Sequence, residues 1–138
     1  MGRMPTISFI SANYVARALN YSGGQTNDWG KFDRATRERA SADEFMRIAM
    51  DVGEAGFDAI DIWDAHCDWR RAGHEDDIEQ IKGACSQFDL AISSYAGGLN
   101  AADMSNVETL LKFMKQLGTT IYSGGILGVE NLASAWPG

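Results

Sequence analysis

Gly56-Phe57-Asp58-Ala59-Ile60-Asp61-Ile62-Trp63 runs directly into Asp64-Ala65-His66-Cys67-Asp68-Trp69. A glycine that can end a helix is followed by a short β-branched run, and titratable and aromatic side chains crowd where that run stops. Three similar runs, Thr6 to Ser11, Ala91 to Tyr95 and Thr119 to Ser123, give four strand candidates in all. Between them lie three stretches with apolar residues at helical spacing, so the rhythm is βα repeated on a parallel sheet. Parallel sheets bind ligands at the carboxyl ends of their strands, which places Asp64 to Trp69 at the functional edge.

The helices carry their own start and stop signals. Ser41 with Glu44 forms a capping box ahead of the stripe Phe45, Ile48, Ala49 and Val52, which Gly56 ends. Asp76 and Asp77 suit the start of a helix from about Glu75 to Gln87, whose apolar face is Ile78, Ile81, Cys85 and Phe88. A second capping box, Ser105 with Glu108, opens the stripe Val107, Leu110, Leu111, Met114 and Leu117 before Gly118. The stretch Ala12 to Ala40 reads as a long polar loop carrying Tyr14, Tyr21, Trp29 and Phe32, and connections of that length are often functional. A partial helix is expected near Val129 to Ala135.

With 138 residues, 45% of them hydrophobic and 22% charged, the chain reads as one globular domain over 1–138. A complete (β/α)8 barrel takes about 250 residues, so about four of the eight units are expected here. A net charge of -7, spread along the chain, disfavours nucleic acid as a partner. Cys67 and Cys85 have neither disulfide-framework nor zinc spacing, and a reducing, cytoplasmic setting is expected. The sequence has no signal-peptide core and no run long enough to cross a membrane, so no membrane partner is expected.

Alternation puts Ile60 and Ile62 on one face of their strand and Asp61 and Trp63 on the other. Asp61 is then either hydrogen-bonded structurally or part of a polar network beneath a substrate, because an isolated buried charge is costly. His66, flanked by Asp64 and Asp68, is the candidate proton carrier or single metal ligand, against a histidine bonded within its own loop. Trp29, Trp63, Asp61 and Tyr95 form the expected substrate-contacting set, while His74 reads as solvated. Lys31, Arg34, Arg37 and Arg39 are either a solvated charged turn or a cradle for phosphate or carboxylate. Tyr-x-Gly-Gly occurs at Tyr21, Tyr95 and Tyr122, and its glycines serve either as turn residues or as a close approach for a ligand. Gly124-Gly125-Ile126-Leu127-Gly128 does not match the dinucleotide-binding spacing, and no H-E-x-x-H, G-x-S-x-G, Walker loop or C-x-x-C is present.

The stretch Gly56 to Trp63, preceded by a capped helix ending in Glu54-Ala55, resembles the second-strand signature of xylose isomerase-like TIM barrels, the sugar phosphate isomerase and epimerase group. Ile7-Ser8-Phe9, the aromatic first loop and the strands at Ala91 and Thr119 are similar in order and spacing to the first half of that family. The resemblance implies a sugar or sugar-phosphate substrate, isomerisation or epimerisation between adjacent carbons, and a divalent metal such as Mn, Mg or Co. It matches His66 to a histidine that assists the sugar. The family's metal ligands come mainly from later strands, so no residue of this chain is assigned to metal. An open half-barrel is expected to expose an apolar interior, and closure by a second copy or a missing C-terminal half follows. A non-catalytic half-barrel that binds a sugar or partner through Trp29, Trp63 and Trp69 is the alternative. Endonuclease-type phosphodiester cleavage and a doubly wound nucleotide-binding domain fit less well.

Overall fold

Strands β1 (Ser8–Ile10), β2 (Ala59–Trp63), β3 (Ala91–Asn100) and β4 (Tyr122–Leu127) lie side by side in the order 1-2-3-4, every neighbouring pair parallel. The computed structural model describes residues 6–22 and 29–127. The order never reverses, so the right-handed crossovers preferred by parallel strands lay the helices on one side of the sheet. The expected α/β class with parallel βα repeats is therefore present. Among the described residues no helix is long and apolar enough to cross a membrane.

The helices follow their sequence signals where those are local. Helix α1 spans Trp29–Arg39 and α2 spans Ala42–Glu54, and Ser41 Oγ accepts the Glu44 amide at 3.2 Å. The α2 stripe Phe45, Ile48, Ala49 and Val52 is buried against Ile60 and Ile62, both 0% exposed. Gly56, at φ 89°, turns the chain into β2 in a conformation a side chain would strain. Helix α3, His74–Gln87, buries Ile78, Ile81, Ala84 and Cys85.

Three expectations need correction. The Ser105–Glu108 capping box does not form, because Ser105 Oγ donates to Ala102 O at 2.7 Å and closes a short helix α4, Ala101–Met104. The box that does form is Asn100 with Asp103, and α5 (Val107–Leu117) starts without a side-chain cap. Leu111 is also 58% exposed, while Phe113 joins Leu110, Met114 and Leu117 in the core. Finally, the supposed loop from Ala12 holds two 3-10 turns, Ser11–Tyr14 and Arg17–Leu19, and then α1. Helix α1 buries only Thr36, which explains its missing apolar stripe. The partial helix expected at Val129 to Ala135, and the glycines of the first Tyr-x-Gly-Gly copy, lie outside the described residues.

The sheet face opposite the helices is polar rather than apolar in its lower half. A register shift between Ile60 and Asp61 inserts one extra residue in β3, so Ser93 and Ser94 both sit opposite Asp61. Ser94 Oγ donates to Asp61 Oδ1 at 2.9 Å and Ser8 Oγ donates to it at 3.1 Å, with Ser93 Oγ as a third donor. The two sheet edges are β1 and β4, and Ile7 and Ile121, exposed by 57% and 59%, stand at their starts.

Candidate functional site at the carboxyl edge of the sheet

A cleft of about 720 Å³ opens over the carboxyl ends of β1 and β2 and runs along the glycine-bearing stretches of β3 and β4. Its walls include Trp29, Arg34 and Arg37 from α1, Trp63 and Asp64 from the end of β2, and Gly97 and Gly124 from β3 and β4. The Trp29 and Trp63 rings lie 5.4 Å apart at 55°. Trp63 is buried and fixed, its amide donating to Ser11 Oγ at 2.8 Å and its ring meeting the His66 ring edge-on at 5.4 Å. Trp29 is 53% exposed, so the pair offers one anchored and one accessible aromatic surface.

The opposite wall is bare backbone. Tyr95-Ala96-Gly97-Gly98 and Tyr122-Ser123-Gly124-Gly125 pair residue for residue across β3 and β4. A Cβ at Gly97 would sit 2.4 Å from Asp64 Oδ2, and one at Gly124 would sit 1.7 Å from Gly97 O. The repeat is thus a packing requirement at two of its glycines.

At the floor and side of the cleft, two guanidinium groups lock three segments together. Arg37 donates through Nη2 to Asp64 Oδ1 at 2.7 Å, through Nη1 to Asp68 Oδ2 at 3.0 Å, and through Nε to Asp33 Oδ1 at 2.8 Å. Arg70 donates to both oxygens of Asp103 at 2.9 Å, to Gly98 O at 2.8 Å and to Asp64 Oδ2 at 3.3 Å. The two-pronged grip on Asp103 uses the fork geometry that lysine lacks. Asp64 is 2% exposed, and that burial raises its carboxyl pKa despite the pull of Arg37 and Arg70. The Asp103 carboxyl is lowered, chiefly by its hydrogen bonds from Arg70.

The sequence-predicted trio therefore separates. Asp64 and Asp68 face Arg37 and Arg70, not His66, whose Nδ1 instead meets Ser11 Oγ at 3.0 Å. The reason is local: the chain turns immediately after β2, with the His66 amide donating to Trp63 O at 2.9 Å, and the imidazole swings under α1. His66 lines two hollows there and is not among the residues walling the cleft. Burial, followed by the fields of Arg17 and Arg37, pulls its pKa down to about 4. The ring is neutral at neutral pH.

Tyr95 and Asp61 also lie away from the cleft walls. Tyr95 is fully buried, with its hydroxyl donating to Cys67 O at 2.6 Å and accepting the Trp69 amide at 3.3 Å. It pins the β2–α3 loop. Asp61 serves the serine cluster on the open sheet face. His74 is not simply solvated, since its Nδ1 meets Arg71 O at 2.9 Å and its ring packs edge-on against Phe113 at 5.1 Å. Sequence reading missed Ser11, Arg70 and Asp103 as site residues. Only Asp103 carried a local signal, the Asn100-x-x-Asp103 cap.

Mn, Mg or Co does not fit the side chains present. Among the described residues no group of three His, Cys, Asp or Glu converges, and the carboxylates at the site already face guanidinium cations.

The buried histidine gives a pH prediction with a definite sign. Its folded value of about 4 lies below the ordinary 6.5, so on acidification the unfolded chain takes up the proton first. The contribution of His66 to stability is complete above pH 6.5 and falls on the way to pH 4, by about 3 kcal/mol at about 1.4 kcal/mol per pH unit. Urea unfolding of wild type and His66→Gln across that range checks it: the variant is expected to lose most of the slope, whatever its baseline stability. No family model, curated protein or solved structure matches the chain.

Proposed function

We propose that this chain forms the first half of a (β/α)8 barrel of the xylose isomerase-like type and supplies the sugar-binding wall of an isomerase or epimerase. The observation that carries the reading is the Trp29–Trp63 pair set over the carboxyl ends of parallel strands, where barrel enzymes bind their substrates. Sequential strand order without reversal supports a barrel over a doubly wound sheet, which binds at a reversal point. An apolar sugar face rests on the exposed Trp29 indole, which Trp63 backs, and the polar edge of the sugar meets the Arg34 side and the glycine backbone. Closure comes from a second copy or further chain against β1 and β4; the divalent metal of this chemistry, Mn, Mg or Co, would be held by strands of a different second half, since the side chains described here do not fit it.

A second reading has its own support. Asp64 and Asp68 are committed to arginines and His66 to Ser11, which favours a non-catalytic half-barrel that binds a sugar or a partner. Titrating aldoses, ketoses and their phosphates against tryptophan fluorescence tests sugar binding in both readings. A saturable change is expected, weakened about tenfold by Trp29→Ala, the worth of one stacked aromatic contact. Binding that becomes turnover when Mn is added supports the enzyme, and metal-indifferent binding without turnover supports the second reading. Failure of every sugar to alter the fluorescence removes the enzyme and the sugar-binding form of the second reading, and leaves the partner-binding form to be tested by the mass of the chain in solution.

A further inference from the structure

A second hollow, of about 330 Å³, lies outside the cleft between the 3-10 turn Arg17–Leu19, the end of α1 and the start of α2. Arg17, Arg39, Ser41, Arg47 and His66 line it, together with the carboxylates of Asp43 and Glu44. Three arginines and two carboxylates line it, and Asp51, which reaches Arg17 from outside the lining, balances the third guanidinium. Arg17 is occupied by Glu44 and Asp51, but Arg39 is exposed and makes no hydrogen bond or ion pair with any described residue. Ser41 caps the 13-residue helix α2, whose first-turn amides at Ala42 and Asp43 have no acceptor within the helix.

His66 is the independent sign of a ligand here. Ser11 is 0% exposed, and its Oγ already accepts the Trp63 amide. If His66 Nδ1 carried the proton, the Ser11 hydroxyl hydrogen would be buried without an acceptor, at a cost comparable to a lost hydrogen bond. The hydroxyl therefore donates to Nδ1, and Nε2 carries the proton. That Nε2–H has no protein partner among the described residues, and the imidazole, 8% exposed, lines this hollow and the neighbouring one against α3, from which a ligand can reach it.

We propose that this hollow binds a phosphate group, received by His66 Nε2–H, the Arg39 guanidinium and the α2 amino terminus. A tetrahedral oxyanion offers acceptors in several directions at once, matching a neutral N–H, a cation and a helix N-terminus that converge from different elements. The exposed carboxylate of Asp43 sets a limit on affinity. The site stands apart from the sugar cleft and does not depend on it.

The experiment is a titration of the whole chain with inorganic phosphate, followed by nitrogen-15 NMR of the histidine side chains. A saturable millimolar shift at His66 Nε2 is expected, with about tenfold weaker binding in Arg39→Gln, the worth of one charged hydrogen bond. Arg39 has no partner among the described residues, so that variant tests the site rather than stability. Arg34→Gln, in the cleft, is expected to bind phosphate as wild type does. A phosphate monoester binding more tightly than the free ion assigns the remaining volume to an organic moiety; equal binding assigns the site to the ion. No response at His66, or equal affinity in Arg39→Gln and wild type, overturns the proposal.

Discussion

Replacing Arg37 with methionine is expected to lower stability by about 2–3 kcal/mol. Arg37 is the only described residue joining α1 to both Asp64 and Asp68, and its loss leaves Asp64, 2% exposed, with Arg70 alone. Breaking a buried ion pair from one side costs about 3–5 kcal/mol; the 30% exposure of the arginine side chain reduces that. Arg37→Lys is expected to recover little, because an ammonium cannot serve three carboxylates from one rigid fork. The effect should be cooperative: Asp64→Asn is costly in wild type and nearly harmless once Arg37 is gone, since the charge left unpaired has then been removed. A double-mutant cycle by urea denaturation measures this, and additive energies would show that Asp64 and Arg37 do not form a working pair.

Gly124→Ala is expected to cost about 3 kcal/mol, the upper end of overpacking penalties. The clash is with Gly97 O, a main-chain atom within a paired strand, at 1.7 Å from the added carbon. A flexible side chain could retreat, but a carbonyl held in a sheet cannot. Gly125→Ala is the internal control, because nothing lies within 4 Å of a Cβ placed there. Thermal unfolding of the two variants should separate them clearly; equal melting temperatures would mean that β3 and β4 do not pair in this register.

Legibility in the sequence follows the range of the interactions involved. The capped helix α2, the glycine stop at Gly56 and the alternation in β2 depend on residues within a few positions of one another, and all were readable. Helix α1 was not, because its anchorage lies in Arg37 reaching Asp64 and Asp68, 27 and 31 residues away, rather than in an apolar stripe. The same holds for His66. Its neighbours in sequence are acids, but its partner Ser11 is 55 residues back and hidden at the end of β1. The Tyr-x-Gly-Gly echo was visible as a repeat, yet its meaning required the knowledge that β3 and β4 lie side by side in that frame.

The paired glycines also shape how the cleft can change over evolutionary time. Along Gly97 and Gly124 the wall presents main-chain amides and carbonyls, and substitution there breaks the sheet before it alters selectivity. One wall is thus invariant to ordinary mutation, a fixed template of peptide polarity. Variation in what the cleft accepts must be written on the facing helix, at Trp29 and Arg34, whose exposed side chains can be exchanged without loss of the fold.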